Sequence, residues 1–233
     1  MKIIDALICA AGQGKRMGLG HNKLFLELEG EPVLIHTLKV WEKHERIRHI
    51  VVVVAREERE LIDKMIVEAG LTKVRPLTMG GTERQQSVFN GLNSYEAKER
   101  PDMILIHDGA RPFITESLID QVIEATEEYG AAVLAVPVKD TIKQATKNKF
   151  IDKTLDRSKL WSIQTPQAFR YTEIIKAHQQ AEILGIQATD DAALMEVLGH
   201  QVYLVEGDYT NIKLTTPEDI ELAEFLLKKR RNR

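Results

Sequence analysis

A glycine-rich, basic loop follows the first apolar segment of the chain. Residues 3–9 form a short apolar run typical of a buried strand. The loop that follows has the sequence Ala10-Ala11-Gly12-Gln13-Gly14-Lys15-Arg16-Met17-Gly18, with Lys23 close behind. Glycines allow backbone N–H groups to approach a ligand, and Arg16 and Lys23 add fixed positive charge. Because amide donors and cations both favour oxygen atoms, we expect this loop to cradle the phosphates of a nucleoside triphosphate.

Two familiar glycine loops do not fit this sequence. A P-loop has four residues between its glycines, whereas Gly12 and Gly14 are separated by one. A dinucleotide-binding loop has its third glycine at the position of Met17, and an acidic residue at the end of the second strand. The second predicted strand, 50–54, is followed by Ala55. The sequence therefore argues against a nicotinamide-dependent dehydrogenase, and a purely structural glycine turn remains the alternative to a phosphate cradle.

Polar residues and glycines follow the later strands as well. Apolar strands that alternate with amphipathic helices predict an α/β fold with a Rossmann-like, doubly wound, mostly parallel sheet. Ligands of such sheets bind beyond the carboxyl ends of the strands. The third, fourth and fifth strands along the chain are followed by Gly80-Gly81 with Arg84 and Ser87, by Asp108 with Arg111, and by Asp140-Thr141. We therefore expect one edge of the sheet to form a single site.

The elements that would position these residues are predicted from apolar periodicity and from glycine and proline signals. The strands are predicted at 3–9, 50–54, 73–78, 103–106, 131–136, 160–169 and 202–205. The helices are predicted at 32–41, 57–69, 88–92, 117–129 and 172–184, then through 197 after a cap formed by Thr189-Asp190-Asp191, and from 217 onwards. Pro32 and Pro217 are expected in the first turns of their helices, where proline is tolerated. With no internal repeat or linker, residues 1–233 are expected to form a single domain.

A polar hairpin is predicted over residues 142–155, with a turn at 147–149. An isolated two-stranded hairpin is marginally stable in water, so it is expected to pack on something. We expect a β-arm at about 138–158 that contacts a second subunit of a homodimer. A loosely held surface flap is the alternative.

Composition narrows the classes of function. The formal net charge of −3 gives no general attraction for nucleic acid, and the basic residues 228–233 follow a helix whose dipole they complement. The single cysteine, Cys9, excludes an intrachain disulfide and suits a reducing compartment. No apolar run is long enough to cross a bilayer. We expect a cytoplasmic protein with no nucleic-acid or membrane partner.

Asp108 is the candidate metal ligand. Mg²⁺ favours hard oxygen ligands and is commonly bound by one or two carboxylates together with substrate phosphates. A single aspartate is otherwise an ordinary turn residue, so its position beside a predicted triphosphate cradle carries the metal hypothesis.

The motifs resemble those of a known family. The first loop is similar to the signature of nucleotidyltransferases that join a sugar or polyol phosphate to a nucleotide. Later motifs narrow the resemblance to the 2-C-methyl-D-erythritol 4-phosphate cytidylyltransferase family over essentially the whole chain: Gly80-Gly81-x-Glu83-Arg84-x-x-Ser87-Val88, His107-Asp108-x-Ala110-Arg111-Pro112, Val136-Pro137-Val138-x-Asp140-Thr141, Asp156-Arg157-x-x-Leu160-Trp161-x-x-Gln164-Thr165-Pro166-Gln167, Thr189-Asp190-Asp191-Ala192 and Asn211-Ile212-Lys213-x-Thr215-Thr216-Pro217. Ribitol-5-phosphate cytidylyltransferases are the alternative from the same fold. A non-catalytic nucleotide-binding regulator would keep the cradle and lose the cations.

The resemblance implies a reaction between CTP and methylerythritol phosphate, with Mg²⁺ held near Asp108. The phosphate of the second substrate attacks the α-phosphorus of CTP in line, and pyrophosphate leaves. The implied catalytic residues are Arg16, Lys23, Arg157 and Lys213. The implied nucleotide-binding residues are Ala10, Ala11, Gly12, Gly14, Lys15, Gly81, Arg84, Ser87, Asp108 and Ala110. The implied sugar-phosphate-binding residues are Arg111, Thr141, Arg157 and Lys213, with Arg157 carried by the arm into the partner's site.

Overall fold

The structure is a computed structural model that describes residues 2–12 and 22–231. The strands are β1 (Ile4–Ala10), β2 (Glu27–Leu28), β3 (Glu31–Pro32), β4 (Ile50–Val54), β5 (Thr78–Met79), β6 (Met103–Asp108), β7 (Ala131–Pro137), β8 (Lys143–Ala145), β9 (Ile151–Thr154), β10 (Trp161–Arg170) and β11 (Tyr203–Glu206). The α-helices are α1 (Val33–Lys43), α2 (Arg59–Glu68), α3 (Arg84–Leu92), α4 (Glu116–Tyr129), α5 (Tyr171–Leu184), α6 (Asp191–Val197) and α7 (Pro217–Arg231).

A seven-stranded sheet with the order β11-β7-β10-β6-β1-β4-β5 forms the centre of the protein. Strand β1 is parallel to β4 and β6, β4 to β5, and β7 to β11. Strand β10 lies between β6 and β7 and is antiparallel to both. The mostly parallel α/β sheet predicted from the sequence is confirmed. The carboxyl ends of the six parallel strands and the amino end of β10 therefore share one edge.

Helices cover both faces of the sheet, as a doubly wound fold requires. On one face, Ile4, Ala6 and Ile8 of β1 pack in a buried cluster that includes residues of α1, α2, α4 and α7. On the other face, Leu7 belongs to a second cluster with residues of α3, α5 and α6. Because side chains alternate along a strand, β1 contributes to both cores and is buried on both sides.

Three predicted boundaries were wrong. The third strand, predicted at 73–78, consists only of Thr78–Met79, and Val74 makes one isolated bridge to Ile50. Helix α3 begins at Arg84 and not at residue 88, because its polar first turn carries no apolar signal. Pro32 ends β3 and caps α1 from outside the helix, so it does not occupy the first turn.

The predicted hairpin is present as the antiparallel pair β8–β9. All residues of both strands are exposed, and the apolar side chains of Phe150 and Ile151 are 73% and 67% exposed. Its contact with a second subunit stays a prediction. Within residues 2–12 and 22–231, no helix combines the length and apolarity needed to cross a membrane.

Candidate active site

The carboxyl end of β1 carries the start of the glycine-rich loop. Ala10 is buried at the end of the strand, and the half-buried Ala11 and the exposed Gly12 follow it. The predicted phosphate-binding residues Gly14, Lys15 and Arg16 lie outside the described residues, as do Gln13, Met17 and Gly18. Lys23 opens a single 3₁₀ turn that Asn22 caps, because the Asn22 Oδ1 accepts a hydrogen bond from the Leu24 N–H at 3.1 Å.

The turn between β5 and α3 approaches this loop closely. The Gly80 N–H donates to the Val54 carbonyl (2.8 Å), and a Cβ atom added at Gly80 would lie 2.5 Å from the Ala11 Cβ. The Gly81 N–H donates to the Ser87 Oγ (3.1 Å), and a Cβ at Gly81 would lie 2.6 Å from the Gln86 Cβ. The two glycines therefore leave room for the side chains of Ala11 and Gln86, which a side chain at either glycine would displace.

Four charged side chains meet beyond the carboxyl end of β6, and we call them the charge cluster: Asp108, Arg84, Arg111 and Lys213. The Lys213 Nζ lies 2.9 Å from the Asp108 Oδ2, the Arg111 Nε 3.4 Å from the same oxygen, and the Arg84 Nε 3.8 Å from the Oδ1. Asp108 is only 7% exposed. Burial alone would raise the pKa of Asp108, but Lys213, Arg84 and Arg111 hold the pKa far below its usual range. The cluster thus combines one ionised carboxylate with three cations.

A chain of buried hydrogen bonds fixes the turn that presents Asp108. The Asp108 N–H donates to the Thr165 Oγ1 (3.1 Å), and the Thr165 hydroxyl lies 3.0 Å from the His107 Nδ1. The His107 Nε2 lies 3.2 Å from the Arg111 carbonyl, which can only accept. Nε2 therefore carries the proton, and Nδ1 accepts from Thr165. Burial lowers the pKa of His107 to about 4, so the ring is neutral at pH 7.

The segment that carries Lys213 is fastened to the same turn. The Arg111 Nη1 donates to the Asn211 carbonyl (2.7 Å), and the Leu214 N–H donates to the Ala110 carbonyl (2.9 Å). The fully buried Asn211 donates from Nδ2 to the Thr165 carbonyl at 3.0 Å. These bonds explain how Lys213, which is 105 positions along the chain from Asp108 (213 − 108), reaches its carboxylate.

Arg84 also contacts a second buried carboxylate that sequence reasoning did not assign to the site. The Arg84 Nη1 donates to the Asp191 Oδ2 at 2.7 Å, and the Asp191 Oδ1 accepts from the His178 Nε2 at 3.1 Å. Asp191 and His178 are 1% and 2% exposed. The sequence interpretation treated Asp191 as part of a helix cap, whereas Asp190 alone is the N-cap of α6. A carboxylate directly after the cap, on a buried helix face, was the available signal.

Two predicted site residues, Thr141 and Arg157, lie at the base of the hairpin. Both are exposed, and the Arg157 Nη1 donates to the Lys139 carbonyl of its own chain at 2.6 Å. Arg157 also borders a surface cavity of about 500 Å³. Within the described residues, neither side chain is hydrogen-bonded or ion-paired to the charge cluster. The structure therefore brings Arg84, Arg111 and Lys213 together around Asp108, and it leaves Thr141 and Arg157 on a separate part of the same edge.

The donor set suits a magnesium ion only when substrate phosphates supply most of the ligands. Among the described residues, no group of three or more His, Cys, Asp or Glu side chains is arranged to hold a metal. Asp108 offers one ionised carboxylate, and Mg²⁺ is commonly held by one or two carboxylates with phosphates and water. The three cations around Asp108 would oppose a bare divalent ion. The residues present therefore fit Mg²⁺ that is bound together with a triphosphate.

The arrangement favours phosphate chemistry over acid–base or thiol catalysis. Burial raises the pKa of the Cys9 thiol to about 12, so it stays protonated at neutral pH. His107 is neutral, and its two ring nitrogens are engaged by Thr165 and the Arg111 carbonyl. What remains is a set of preorganised cations beside backbone turns, which can bind phosphates and stabilise negative charge that develops during a transfer.

Comparison with known proteins identifies relatives over nearly the full chain. The family model described as 2-C-methyl-D-erythritol 4-phosphate cytidylyltransferase matches residues 4–229. The protein of that name from Geobacillus kaustophilus is 50% identical over 226 residues, which are 97% of each chain. The one from Bacillus velezensis is 51% identical over 95% of this chain and 94% of its own. The solved structure of 4-diphosphocytidyl-2C-methyl-D-erythritol synthase from Anaerococcus prevotii superposes with a TM-score of 0.87 at 32% identity, covering 97% of this chain and 96% of that chain.

Proposed function

The chain belongs to the 2-C-methyl-D-erythritol 4-phosphate cytidylyltransferase family, and on that premise we propose that the carboxyl edge of its sheet is the active site. The reaction transfers a cytidylyl group from CTP to 2-C-methyl-D-erythritol 4-phosphate in isoprenoid biosynthesis. The products are 4-diphosphocytidyl-2-C-methyl-D-erythritol and pyrophosphate. The family membership gives no support to a ribitol-phosphate enzyme or to a non-catalytic regulator.

The charge cluster is the observation that carries the assignment of the site. A phosphate dianion is already a nucleophile at neutral pH, so the reaction needs positioning and charge neutralisation more than a general base. Lys213 and Arg111 lie within 3.4 Å of the Asp108 carboxylate, which holds their charged ends at the edge of the sheet. An attacking phosphate that approaches this edge meets fixed positive charge, and Lys213 is its nearest expected partner because its side chain is more exposed than that of Arg111.

The nucleotide is assigned to the other side of the cluster. The cytosine lies near Gly81 and Ser87, where the turn before α3 has backbone groups and no side chain at the glycines. Arg84 lies between this turn and Asp108, so its guanidinium is placed to contact the nucleotide. The triphosphate follows the backbone of Ala10, Ala11 and Gly12 and continues along Gly14 and Lys15. Arg16 and Lys23 stabilise the charge that develops on the α-phosphate and on the leaving pyrophosphate.

Magnesium dependence is part of the proposal. Asp108 is the protein ligand, and the remaining ligands are phosphate oxygens and water. The bound ion supplies charge neutralisation for the triphosphate. Asp108 is ionised throughout the neutral range, so it would hold a divalent ion whose charge is shared with the phosphates.

We further propose a homodimer formed through the arm around residues 138–158, in the cytoplasm. The support is the exposed hairpin with Phe150 and Ile151 uncovered, together with the position of Thr141 and Arg157 at its base. A second copy packed on the arm would cover these apolar side chains and bring Arg157 to the sugar phosphate in the partner's site. The location is supported by the presence of a single cysteine, the half-buried Cys9, which leaves no intrachain disulfide.

Pyrophosphate release tests this function directly. Purified protein is incubated with CTP and Mg²⁺, with either methylerythritol phosphate or ribitol 5-phosphate as the second substrate. Release with methylerythritol phosphate alone is expected. Release only with ribitol 5-phosphate would overturn the substrate assignment, and CTP binding without release from either would favour the regulator. A metal chelator should abolish release, and restored activity on adding Mg²⁺ would complete the test.

A further inference from the structure

We propose that Asp191 is a positioning residue that holds Arg84 in its nucleotide-binding orientation, with His178 as its brace. The inference rests on the proposed function, since Arg84 is taken to contact CTP. It extends the site to two buried side chains on α5 and α6 that have no direct contact with the charge-cluster carboxylate.

The two oxygens of the Asp191 carboxylate have separate partners. Oδ2 accepts from the Arg84 Nη1 at 2.7 Å, and Oδ1 lies 3.1 Å from the His178 Nε2. An ionised carboxylate can only accept hydrogen bonds, so the His178 Nε2 is the donor. Burial alone would raise the pKa of Asp191, but Arg84 and His178 lower it, which keeps the carboxylate charged.

His178 is itself fixed by packing. Its ring lies parallel to the Phe89 ring, with an interplanar angle of 3° and centroids 5.9 Å apart. Phe89 and Arg84 are both on α3, whereas His178 is on α5 and Asp191 begins α6. The four side chains therefore join three helices on one face of the sheet, so a change in the relative positions of these helices would move the Arg84 guanidinium.

Asp191 decides which donors of Arg84 remain available. The Arg84 Nη1 donates to Asp191, and the Arg84 Nε lies 3.8 Å from the Asp108 Oδ1. Its Nη2 is buried and, within the part of the chain that the structure describes, has no hydrogen-bond partner. Buried N–H donors are normally paired, so an unpaired donor at the edge of a binding site suits a ligand acceptor. Without Asp191, the guanidinium would be free to turn towards Asp108, its other carboxylate.

Asp191→Asn tests the proposal because it removes the charge and keeps the shape. We expect the CTP dissociation constant, measured without the second substrate, to rise roughly 10- to 100-fold, the loss typical of a misplaced binding group. The KM for CTP should rise in parallel and kcat should change little, since binding of the ground state is affected. Asp190→Asn is the matched control: the neighbouring residue caps α6 and accepts from Gln167, and asparagine also caps helices well.

A double-mutant cycle separates positioning from a merely structural role. If Asp191 acts through Arg84, then Asp191→Asn should change CTP affinity by no more than about twofold in an Arg84→Met background, within the usual limit of additivity error. The double variant should also be more stable to urea than Arg84→Met alone, because it removes the charge of a buried carboxylate that has lost its arginine partner. An equal loss of CTP affinity in both backgrounds would overturn the proposal, as would unchanged affinity in Asp191→Asn or an equal loss in Asp190→Asn.

Two further readouts keep the outcomes distinct. If Asp191→Asn fails to fold, His178→Leu replaces it as the test variant. We expect His178→Leu to cause a smaller loss of CTP affinity, which again disappears in the Arg84→Met background. An unchanged CTP affinity in His178→Leu would refute the role of His178 as a brace. If the wild-type protein binds CTP but releases no pyrophosphate with methylerythritol phosphate, the proposed function fails while the binding cycle still tests Asp191.

Discussion

Lowering the pH from 7 to 5 should destabilise the protein through one buried imidazole, that of His107. The ring is fully buried, and burial lowers its pKa from 6.5 to about 4. As the pH falls below 6.5, the unfolded chain takes up this proton while the folded protein does not. The stability that the neutral His107 ring contributes is therefore present above pH 6.5, and it is lost progressively as the pH falls towards about 4.

The size of the effect follows from the interval between the two pKa values. Each pH unit in that interval is worth about 1.4 kcal/mol, and about 1.5 units lie between pH 6.5 and pH 5. His107 should therefore account for a loss of about 2 kcal/mol in the free energy of unfolding. The carboxyl groups of Asp108 and Asp191 contribute little in this range, because their pKa values are lowered and the stability that they provide is lost only in stronger acid.

Urea unfolding at pH 7, 6 and 5, followed by the fluorescence of the buried Trp41, measures this loss. His107→Gln keeps an N–H donor for the Arg111 carbonyl and cannot be protonated, so its stability should be nearly independent of pH in this window. His200→Gln removes an exposed imidazole and should retain the wild-type loss. A His107→Gln variant that still loses about 2 kcal/mol, or an NMR titration of His107 near pH 6.5, would refute the reasoning.

Three further predictions concern the proposed site. Lys23→Ala should lower kcat about 100-fold, the effect of losing a preorganised charge-stabilising donor, and normal turnover at saturating substrate would contradict its role. Arg157→Ala and Lys213→Ala should each be impaired, yet mixing them should restore activity at intact sites of mixed dimers; no recovery would argue against Arg157 acting across an interface. Gly81→Ala places a Cβ 2.6 Å from the Gln86 Cβ, so the KM for CTP should rise about tenfold or more, and an unchanged KM would place the cytosine elsewhere.

The parallel strands and their common edge were predictable because short stretches of sequence identify the strands and the ends of the helices between them. Residues 50–54 are apolar without interruption, which is typical of a strand covered on both faces. Gly70, Gly130 and Gly185 follow helices and have positive φ angles, so the helix ends were marked by residues that adopt this conformation easily. Once the alternation of strands and helices was recognised, the rule that ligands bind at the carboxyl edge located Asp108 and Arg84.

The orientation of β10 could not be predicted from its own residues. An apolar run indicates a strand, but the pattern is the same whether the neighbours run parallel or antiparallel. Orientation depends on partners that are distant in sequence: Gln167 pairs with Ile106 and Val133. The same limit applies to the bond between Thr165 and the Asp108 N–H, which joins residues 57 positions apart.

The contacts of Asp191 and His178 with the site were not predicted from the sequence, for a related reason. Arg84 was identified because a cation follows a glycine turn, whereas its partner Asp191 is 107 residues away. A buried aspartate next to a helix cap is usually part of the cap, and a histidine in an amphipathic helix usually lies in the core. Local patterns therefore favour the structural interpretation for Asp191 and His178, and only the tertiary contact distinguishes them.

The position of the antiparallel strand β10 inside the sheet also has a consequence for biosynthesis. Strands β6 and β7 are synthesised early but do not pair with each other, because β10 occupies the place between them. Until residues 161–170 have been translated, each of these two buried strands has an edge that β10 does not yet cover. A nascent chain that stalls before this point exposes strand edges suited to intermolecular pairing. The edges of β6 and β7 that face each other are covered only when β10, the penultimate strand of the large sheet, inserts between them.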